Sequence, residues 1–474
     1  MTPKHEVEAF IKSFVSDLEE DSVAIFAGAG MSKASGYVDW PELLRDIAAE
    51  LGLRVELEHD LISLAQFHVN QRKTSDGLAK KILQEFSEQA ELSDVHKVIA
   101  RLPIKTYWTT NYDTLIEDAL RQADRVADIK SDVDDLSTIR PKRDAVVYKM
   151  HGDVRSSGKA VLYKKQYETY YKTHERFVTA LSGDLVSKTF LFIGFSFTDP
   201  NLDYVLSRLH GGGAGKKTHY CFMKAIARDD KDDDEAFRYK QRKQELRIDD
   251  LKRFGIQTLL VGEYDQIPQI LLEVEKRFLK KTIFVSGSAE EYGTWDRNAA
   301  LGFVHSLAED CIKANLRIVN GFGWGIGSSV INGALKAIYA NPLKYSEDQL
   351  ILRPFPQHGD NMQALWEEYR QRMISLAGIA IFMFGNKLQD GKIVPAGGVR
   401  REFEIAIEHG LVPIPVGATG YMARELWVEV MKDPKKYYSG IEWIIPLVEE
   451  LGKESADPSE LLKTVVKIFK QLNK

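Results

Sequence analysis

The sequence predicts an α/β chain of two Rossmann-like domains, each wound around a parallel sheet. Three observations carry this. Two glycine loops, Gly28-Ala29-Gly30-Met31-Ser32 and Gly321-Phe322-Gly323-Trp324-Gly325-Ile326-Gly327-Ser328, each follow an apolar run, 23–26 and 316–319. Strand, glycine loop, helix is the order that brings backbone N–H groups to a phosphate. Polar residues gather at the ends of apolar runs, the edge of an open parallel sheet that carries the ligand crevice. A second alternation of strands and helices starts near residue 281.

The elements follow in order. Val7, Phe10, Ile11, Phe14, Val15 and Leu18 have helical spacing. The first strand and glycine loop come next. Pro41 suits the first turn of a helix that Gly52 ends. Helical patterns fill 60–100. Strands are expected at 104–109, 146–149 and 190–193. They end in Thr110-Asn111-Tyr112-Asp113, Met150-His151-Gly152-Asp153 and Gly194-Phe195-Ser196. Residues 211–217 miss the phosphate-binding P-loop pattern twice, at His210 and Lys217, and read as a loop. The acidic cluster 229–235 reads as a solvated loop and helix start rather than a metal site. A strand at 256–261 and a helix at 266–279 close the first domain. Thr282-Ile283-Phe284-Val285-Ser286-Gly287-Ser288 opens the second, which continues through 351, 379–384 and 412–416. Length alone allows about three domains at about 150 residues each. The pattern divides the chain into 1–280 and 281–474, closely docked because no Gly/Ser-rich linker separates them.

Composition narrows the function. The formal charge of −5 is spread along the chain, which excludes a basic nucleic-acid stripe. Cys221 and Cys311 stand far apart, so no zinc ribbon, disulfide framework or other metal site is expected. Early acidic residues argue against a secretory signal. The most apolar stretch, 185–197, is broken by Lys188 and too short to span a bilayer. A soluble cytoplasmic protein is expected, with no nucleic-acid or membrane partner.

In the first domain, Gly-Ala-Gly-x-Ser after a strand, Thr-x-Asn-Tyr-Asp at a strand end and His-Gly at another resemble the sirtuin family over residues 1–280. The resemblance implies an NAD pocket built from Ala27, Gly28, Ala29, Gly30, Ser32, Asp113, Gly194 and Ser196. Nicotinamide is a cationic leaving group, and its departure builds positive charge on the ribose. The glycine loop can hold the pyrophosphate. Asn111 can hydrogen-bond the ribose or fix a water. Asp113 can hold the carboxamide or steady its loop, and Asn111 and Asp113 also suit a plain turn. His151 can take a proton near neutral pH or simply cap a strand end, and Ser196 can be an ordinary loop hydroxyl. Sirtuins that remove acyl groups carry a four-cysteine zinc module, and this chain has two isolated cysteines. Water is then the natural acceptor, which makes an NAD glycohydrolase.

In the second domain the candidate site is Ser286, Gly287, Ser288, Gly323, Gly325, Gly327, Arg370, Lys387, Gly397, Gly398 and Glu402. Ser328 or Ser329 is placed to cap the helix after the glycine loop. Arg370 sits on an exposed-looking helix at 362–376. Arginine fits phosphate oxygens bidentately, lysine acts as a point charge, and a carboxylate grips ribose hydroxyls. This half resembles the SLOG family of nucleotide-sensing domains over 282–440. Phosphoribohydrolase relatives carry Pro-Gly-Gly-x-Gly-Thr-x-x-Glu. Ala396-Gly397-Gly398-Val399-Arg400-Arg401-Glu402 replaces the glycine-threonine step, which favours binding over hydrolysis.

The joined order is similar, over the full length, to the NADase effectors of the Thoeris anti-phage system. That resemblance implies a TIR-domain partner that makes a cyclic ADP-ribose isomer, a SLOG domain that binds it, and NAD+ destruction that causes abortive infection. It implies a homotetramer that forms filaments. It makes Asn111 and His151 catalytic and puts Arg370, Lys387 and Glu402 on the signal. NAD+ is then substrate, not a recycled cofactor. The other readings are an NAD-dependent protein deacylase, a non-enzymatic nucleotide-binding regulator, and hydrolysis by residues 282–474.

Overall fold

The computed structural model describes residues 2–87, 90–197, 199–209, 217–229, 233–454 and 457–473. The chain forms two compact units, Met1–Glu275 and Lys276–Lys474. The glycine stretch 211–216 and residues 230–232 of the acidic cluster lie outside the described residues. Asp233 caps the helix Asp234–Arg253 by accepting from the Ala236 N–H.

The first unit holds β1 (Val23–Ala27), β2 (Thr106–Thr109), β3 (Ala127–Lys130), β4 (Ala145–Lys149), β5 (Thr189–Ile193), β6 (His219–Lys224) and β7 (Ile256–Val261). They pair in parallel in the order β3-β4-β2-β1-β5-β6-β7. β1 and β5 are buried throughout, as a strand covered on both faces must be. Phe26, Trp108, Phe190 and Phe192 fill one core with Phe177 and Leu181 of the helix Glu175–Ser187. The opening helix, Lys4–Glu19, buries Phe10, Ile11, Phe14, Val15 and Leu18, the stripe its spacing predicts. Pro41 stands in the first turn of a helix, as expected, beneath an Asp39–Glu42 capping box. The helix is not continuous, however. It breaks at Leu44 into Trp40–Leu43 and Arg45–Glu50.

The second unit holds β8 (Thr282–Ser288), β9 (Arg317–Asn320), β10 (Leu350–Leu352), β11 (Ile379–Phe384), β12 (Asn386–Gln389), β13 (Lys392–Pro395) and β14 (Val412–Pro415). Five make a parallel sheet in the order β10-β9-β8-β11-β14, while β12 and β13 form a separate hairpin. The C-terminal helix, Pro458–Leu472, buries Leu461, Val465, Ile468 and Phe469 and packs on the helix Arg297–Lys313 of its own unit. Among the described residues no helix is long and apolar enough to cross a membrane.

Four strands escape the sequence pattern. β3 is short and mixes Asp128 and Lys130 into its run, β6 opens on His219 and closes on Lys224, and the β12–β13 hairpin exposes most of its residues. Asp128 and Lys130 are buried as an ion pair, 2.9 Å apart, which hides the strand from a hydrophobicity reading.

Buried histidines make the first unit acid-sensitive. Burial pushes His96 down to about 4, with Asp113 partly opposing, and burial with Lys217 does the same to His219. His219 Nδ1 accepts from the Phe190 N–H at 3.1 Å, a contact only the unprotonated nitrogen makes. The folded values lie below the unfolded value of about 6.5, so as pH falls the unfolded chain takes the proton first. The stability these groups contribute is complete above about 6.5 and is lost as pH falls toward about 4. Hydrogen exchange at β5 and β6 is expected to accelerate over this window. Rates flat from pH 7 to 4.5, after correction for intrinsic exchange, count against neutral burial.

Candidate functional site

In the first sheet the chain runs from β1 outward through β2 and β4, then crosses back to β5 on the other side of β1. Ligands bind where strand order reverses in this way, at the carboxyl ends. The four strands ending there carry the glycine loop, Asn111, His151 and Gly194-Phe195-Ser196.

The glycine loop is locked to the end of β5. The Gly28 N–H donates to the Ile193 carbonyl and the Gly30 N–H to the Gly194 carbonyl, both at 2.9 Å. These two donors are therefore committed inside the fold rather than open to a phosphate. A Cβ on Gly28 would stand 2.7 Å from Phe195 Cα, and one on Gly194, at φ +64°, would fall on the Met31 nitrogen. The glycines are needed first for this close crossing of two strand ends.

A hydrogen-bond network fixes the loop after β2. Thr109 Oγ1 donates to the Ala27 carbonyl at 3.0 Å and accepts from the Asn111 N–H at 2.9 Å. Asn111 Nδ2 donates to the Gly28 carbonyl at 3.0 Å and to Ser32 Oγ at 2.7 Å. Ser32 Oγ donates to Asp113 Oδ2 at 2.6 Å, and Asp113 Oδ1 accepts from the Leu115 N–H at 3.0 Å. Both carboxylate oxygens of Asp113 thus steady the loop. Among the described residues nothing donates to Asn111 Oδ1, which leaves that oxygen for a ligand.

Lys149, fully buried at the end of β4, ties the same loop from below. Its Nζ donates to the carbonyls of Tyr112 and Asp113 and pairs with Asp153 at 2.7 Å and Glu117 at 3.1 Å. Burial alone would lower its pKa, but the surrounding carboxylates raise it. A charged residue closing an apolar strand is the sequence signal for this brace.

His151 is 1 % exposed. Tyr167 Oη lies 3.4 Å from Nδ1. Asn201 Nδ2 and Asp199 Oδ2 lie 3.3 and 3.4 Å from Nε2. Burial pushes the imidazole below its usual range, with Asp199 partly opposing.

A cavity of about 550 Å³ opens over these strand ends, within the range of small-molecule sites. Ala29, Ser32, Asn111, Asp113, Gly194 and Ser196 line it, together with Trp40, His59 and Phe86. Ala27, Gly28, Gly30 and His151 do not. His151 sits one layer behind, and Tyr167 and Asp199 stand in the wall instead. The sequence reading missed both. The Asp-Pro step opening the helix Pro200–Leu209, just after β5, was the available sign of Asp199.

In the second unit the order reverses between β8 and β11. A cavity of about 160 Å³ there is lined by Ser286, Gly287, Ser288, Gly321, Gly323, Gly398 and Glu402, with Phe355 and Met373. The glycines again interlock backbone. A Cβ on Gly323 would fall on the Gly287 carbonyl, and one on Gly325, at φ +76°, on that of Ala289.

Glu402 Oε2 accepts from Ser286 Oγ at 2.5 Å, and Oε1 lies 3.6 Å from Arg370 Nε. Burial pushes the Glu402 carboxyl up, with Ser286 and Arg370 partly opposing. The Arg370 guanidinium stacks 5.1 Å from the Phe355 ring centre, and among the described residues its buried Nε has no hydrogen-bond acceptor. Its side chain is 16 % exposed, so this face of the helix Met362–Ile374 is not the solvent face the pattern suggests.

Gly397 opens the helix Gly397–Glu408, and Gly398 gives Arg370 room, since a Cβ there would stand 3.1 Å from Nη2. Lys387 is exposed on β12 and does not line the cavity. Gly327 begins the helix Gly327–Ala340. Ser328 and Ser329 lie inside its first turn and do not cap it, because Ile326 takes the cap position. Among the described residues no group of three or more His, Cys, Asp or Glu is placed to hold a metal ion.

Sequence comparisons agree with the two units. The SIR2-like domain pattern matches residues 105–248, and that of the Sir2- and TIR-associating SLOG family, STALD, matches 266–472. The chain is 47 % identical over 470 residues to the NAD(+) hydrolase ThsA of Bacillus cereus (strain MSX-D12), covering 98 % of each chain. It is 45 % identical to that of Cytobacillus dafuensis, over 98 % of this chain and 96 % of the relative. It is 43 % identical to that of Acinetobacter baumannii (strain 532279), over 98 % and 99 %.

Proposed function

The chain belongs to the ThsA family of NAD(+) hydrolases, and from that premise we propose that its first domain, 1–280, cleaves NAD+ under control of a nucleotide signal bound by its second, 281–474. The observation that carries the first half is the cavity wall, where Asn111 is held by Gly28 and Ser32 with its carboxamide oxygen uncommitted. Asn111 orients the ribose or the attacking water, and His151 receives the proton. Nicotinamide leaves as a neutral base, taking the bonding pair from C1′, and water completes ADP-ribose. Ala29, Ser32, Gly194 and Ser196 contact the dinucleotide in the wall, and Ala27, Gly28 and Gly30 shape it from behind.

In the second domain Arg370 carries the reading. A buried guanidinium nitrogen with no acceptor, beside a buried Glu402, suits a ligand with phosphate oxygens and sugar hydroxyls. The signal is a cyclic ADP-ribose isomer made by a TIR-domain partner. Lys387 adds a point charge from the exposed β12. The full effector is a homotetramer that forms filaments, and NAD+ depletion stops an infected cell before phage release.

The test is hydrolysis of a fluorescent NAD+ analogue by the purified full chain, with and without cyclic ADP-ribose isomers. Turnover is expected to rise more than tenfold with the right isomer. NAD+ recovered intact from folded protein saturated with every isomer overturns the proposal. Formation of O-acetyl-ADP-ribose from an acetyl-lysine peptide would move it to deacylation.

A further inference from the structure

We propose that Asp199 is a catalytic residue of the first unit: its carboxylate receives the proton of the attacking water and hands it to His151. The inference rests on the reading of the 550 Å³ cavity as the NAD+ site.

His151 has no place in the cavity wall, yet it has two ring partners that do, Asp199 and Tyr167. A base must reach the proton it takes, directly or through one intermediary. Tyr167 is a poor intermediary, because burial, together with Asp199, holds its hydroxyl far above the usual phenol range. Asp199 has the geometry instead. Its Oδ1 accepts from the Asn201 and Leu202 N–H groups, at 2.9 and 3.1 Å, which fixes the carboxylate on the first turn of the helix Pro200–Leu209. Oδ2 is thereby held 3.4 Å from His151 Nε2. A helix cap needs one oxygen. The second oxygen is what the capping role leaves unexplained.

The step balances. The C1′–N bond breaks with its electron pair going to the pyridinium nitrogen, so nicotinamide leaves neutral. The water oxygen bonds C1′ as its proton moves to Asp199 Oδ2 and then to His151 Nε2. The product is ADP-ribose facing an imidazolium–carboxylate pair, in which each charge favours the other. The proton is afterwards lost to solvent. The tautomer the relay needs carries its hydrogen on Nδ1, toward Tyr167, so that the Nε2 lone pair takes the proton from Asp199 as the Asn201 amide, 3.3 Å away, gives way.

Asp199→Asn keeps the capping oxygen and removes the base. In the full chain, with NAD+ and cyclic ADP-ribose isomers, kcat is expected to fall at least 100-fold, with KM within threefold of wild type and an unchanged melting midpoint. His151→Ala combined with Asp199→Asn should be no slower than the slower single variant, because the two act as one unit. In Asp199→Ala, added formate should restore at least tenfold of the lost rate by supplying a carboxylate. Should Asp199→Asn not fold, Asp199→Ser, also a capping residue, takes its place. Turnover within threefold of wild type, a rise in KM in place of the fall in kcat, or no response to formate overturns the assignment. A wild-type protein that releases no nicotinamide instead overturns the cavity as an NAD+ site.

Discussion

Asn111→Ala is expected to lower NAD+ turnover by about 100- to 1,000-fold, the usual cost of removing one preplaced polar group from a reacting centre. Cyclic ADP-ribose isomer binding by the second unit should not change. The substitution also removes the bonds from Nδ2 to the Gly28 carbonyl and Ser32 Oγ. At about 0.5–1.5 kcal/mol each, the stability cost is about 1–3 kcal/mol, which a folded domain survives. Kinetics and a melting curve on the same sample separate the two effects. Full turnover with a lowered melting midpoint would make Asn111 a loop brace and nothing more.

Arg370→Ala should do the reverse. Unstimulated turnover stays at its low wild-type level, while the dose of isomer needed for activation rises about 10- to 100-fold, as expected for a lost charge-assisted contact to phosphate. Calorimetric titration of the isomer should show the same loss. Arg370 also stands between the Phe355 ring and Glu402, so its removal takes away a cation from beside that buried carboxyl. Activation at the wild-type dose would move the signal site elsewhere.

Much of this was legible in the sequence because chemistry and pattern coincide at the strand ends. Val23–Ala27 and Thr189–Ile193 are continuous apolar runs, and each stops at glycine or a polar turn. Asn111, Ser32 and Asp113 could be grouped because each follows such a run. The same logic failed where burial is polar. Asp128 with Lys130, and Lys149 with Glu117 and Asp153, are charged residues that tertiary pairing takes inside. The depth of His151 was also invisible. Its neighbours Tyr167 and Asp199 come from segments far along the chain, and only the fold shows that they stand between it and the cavity. In the second unit, Arg370, Ser286 and Glu402 do meet, with Ser286 and Glu402 in the cavity wall and Arg370 outside its lining, whereas exposed Lys387 lies on a hairpin whose short strands carry no strong pattern.

The braced turn after β2 has a consequence for regulation. Thr109, Asn111, Ser32 and Asp113 are bonded to one another and to the first loop entirely through groups of the chain itself. The ordering entropy of that corner is met once, when the chain folds. An on-switch therefore has little to gain by assembling it, and is better spent on substrate entry or on aligning the histidine's side of the cleft.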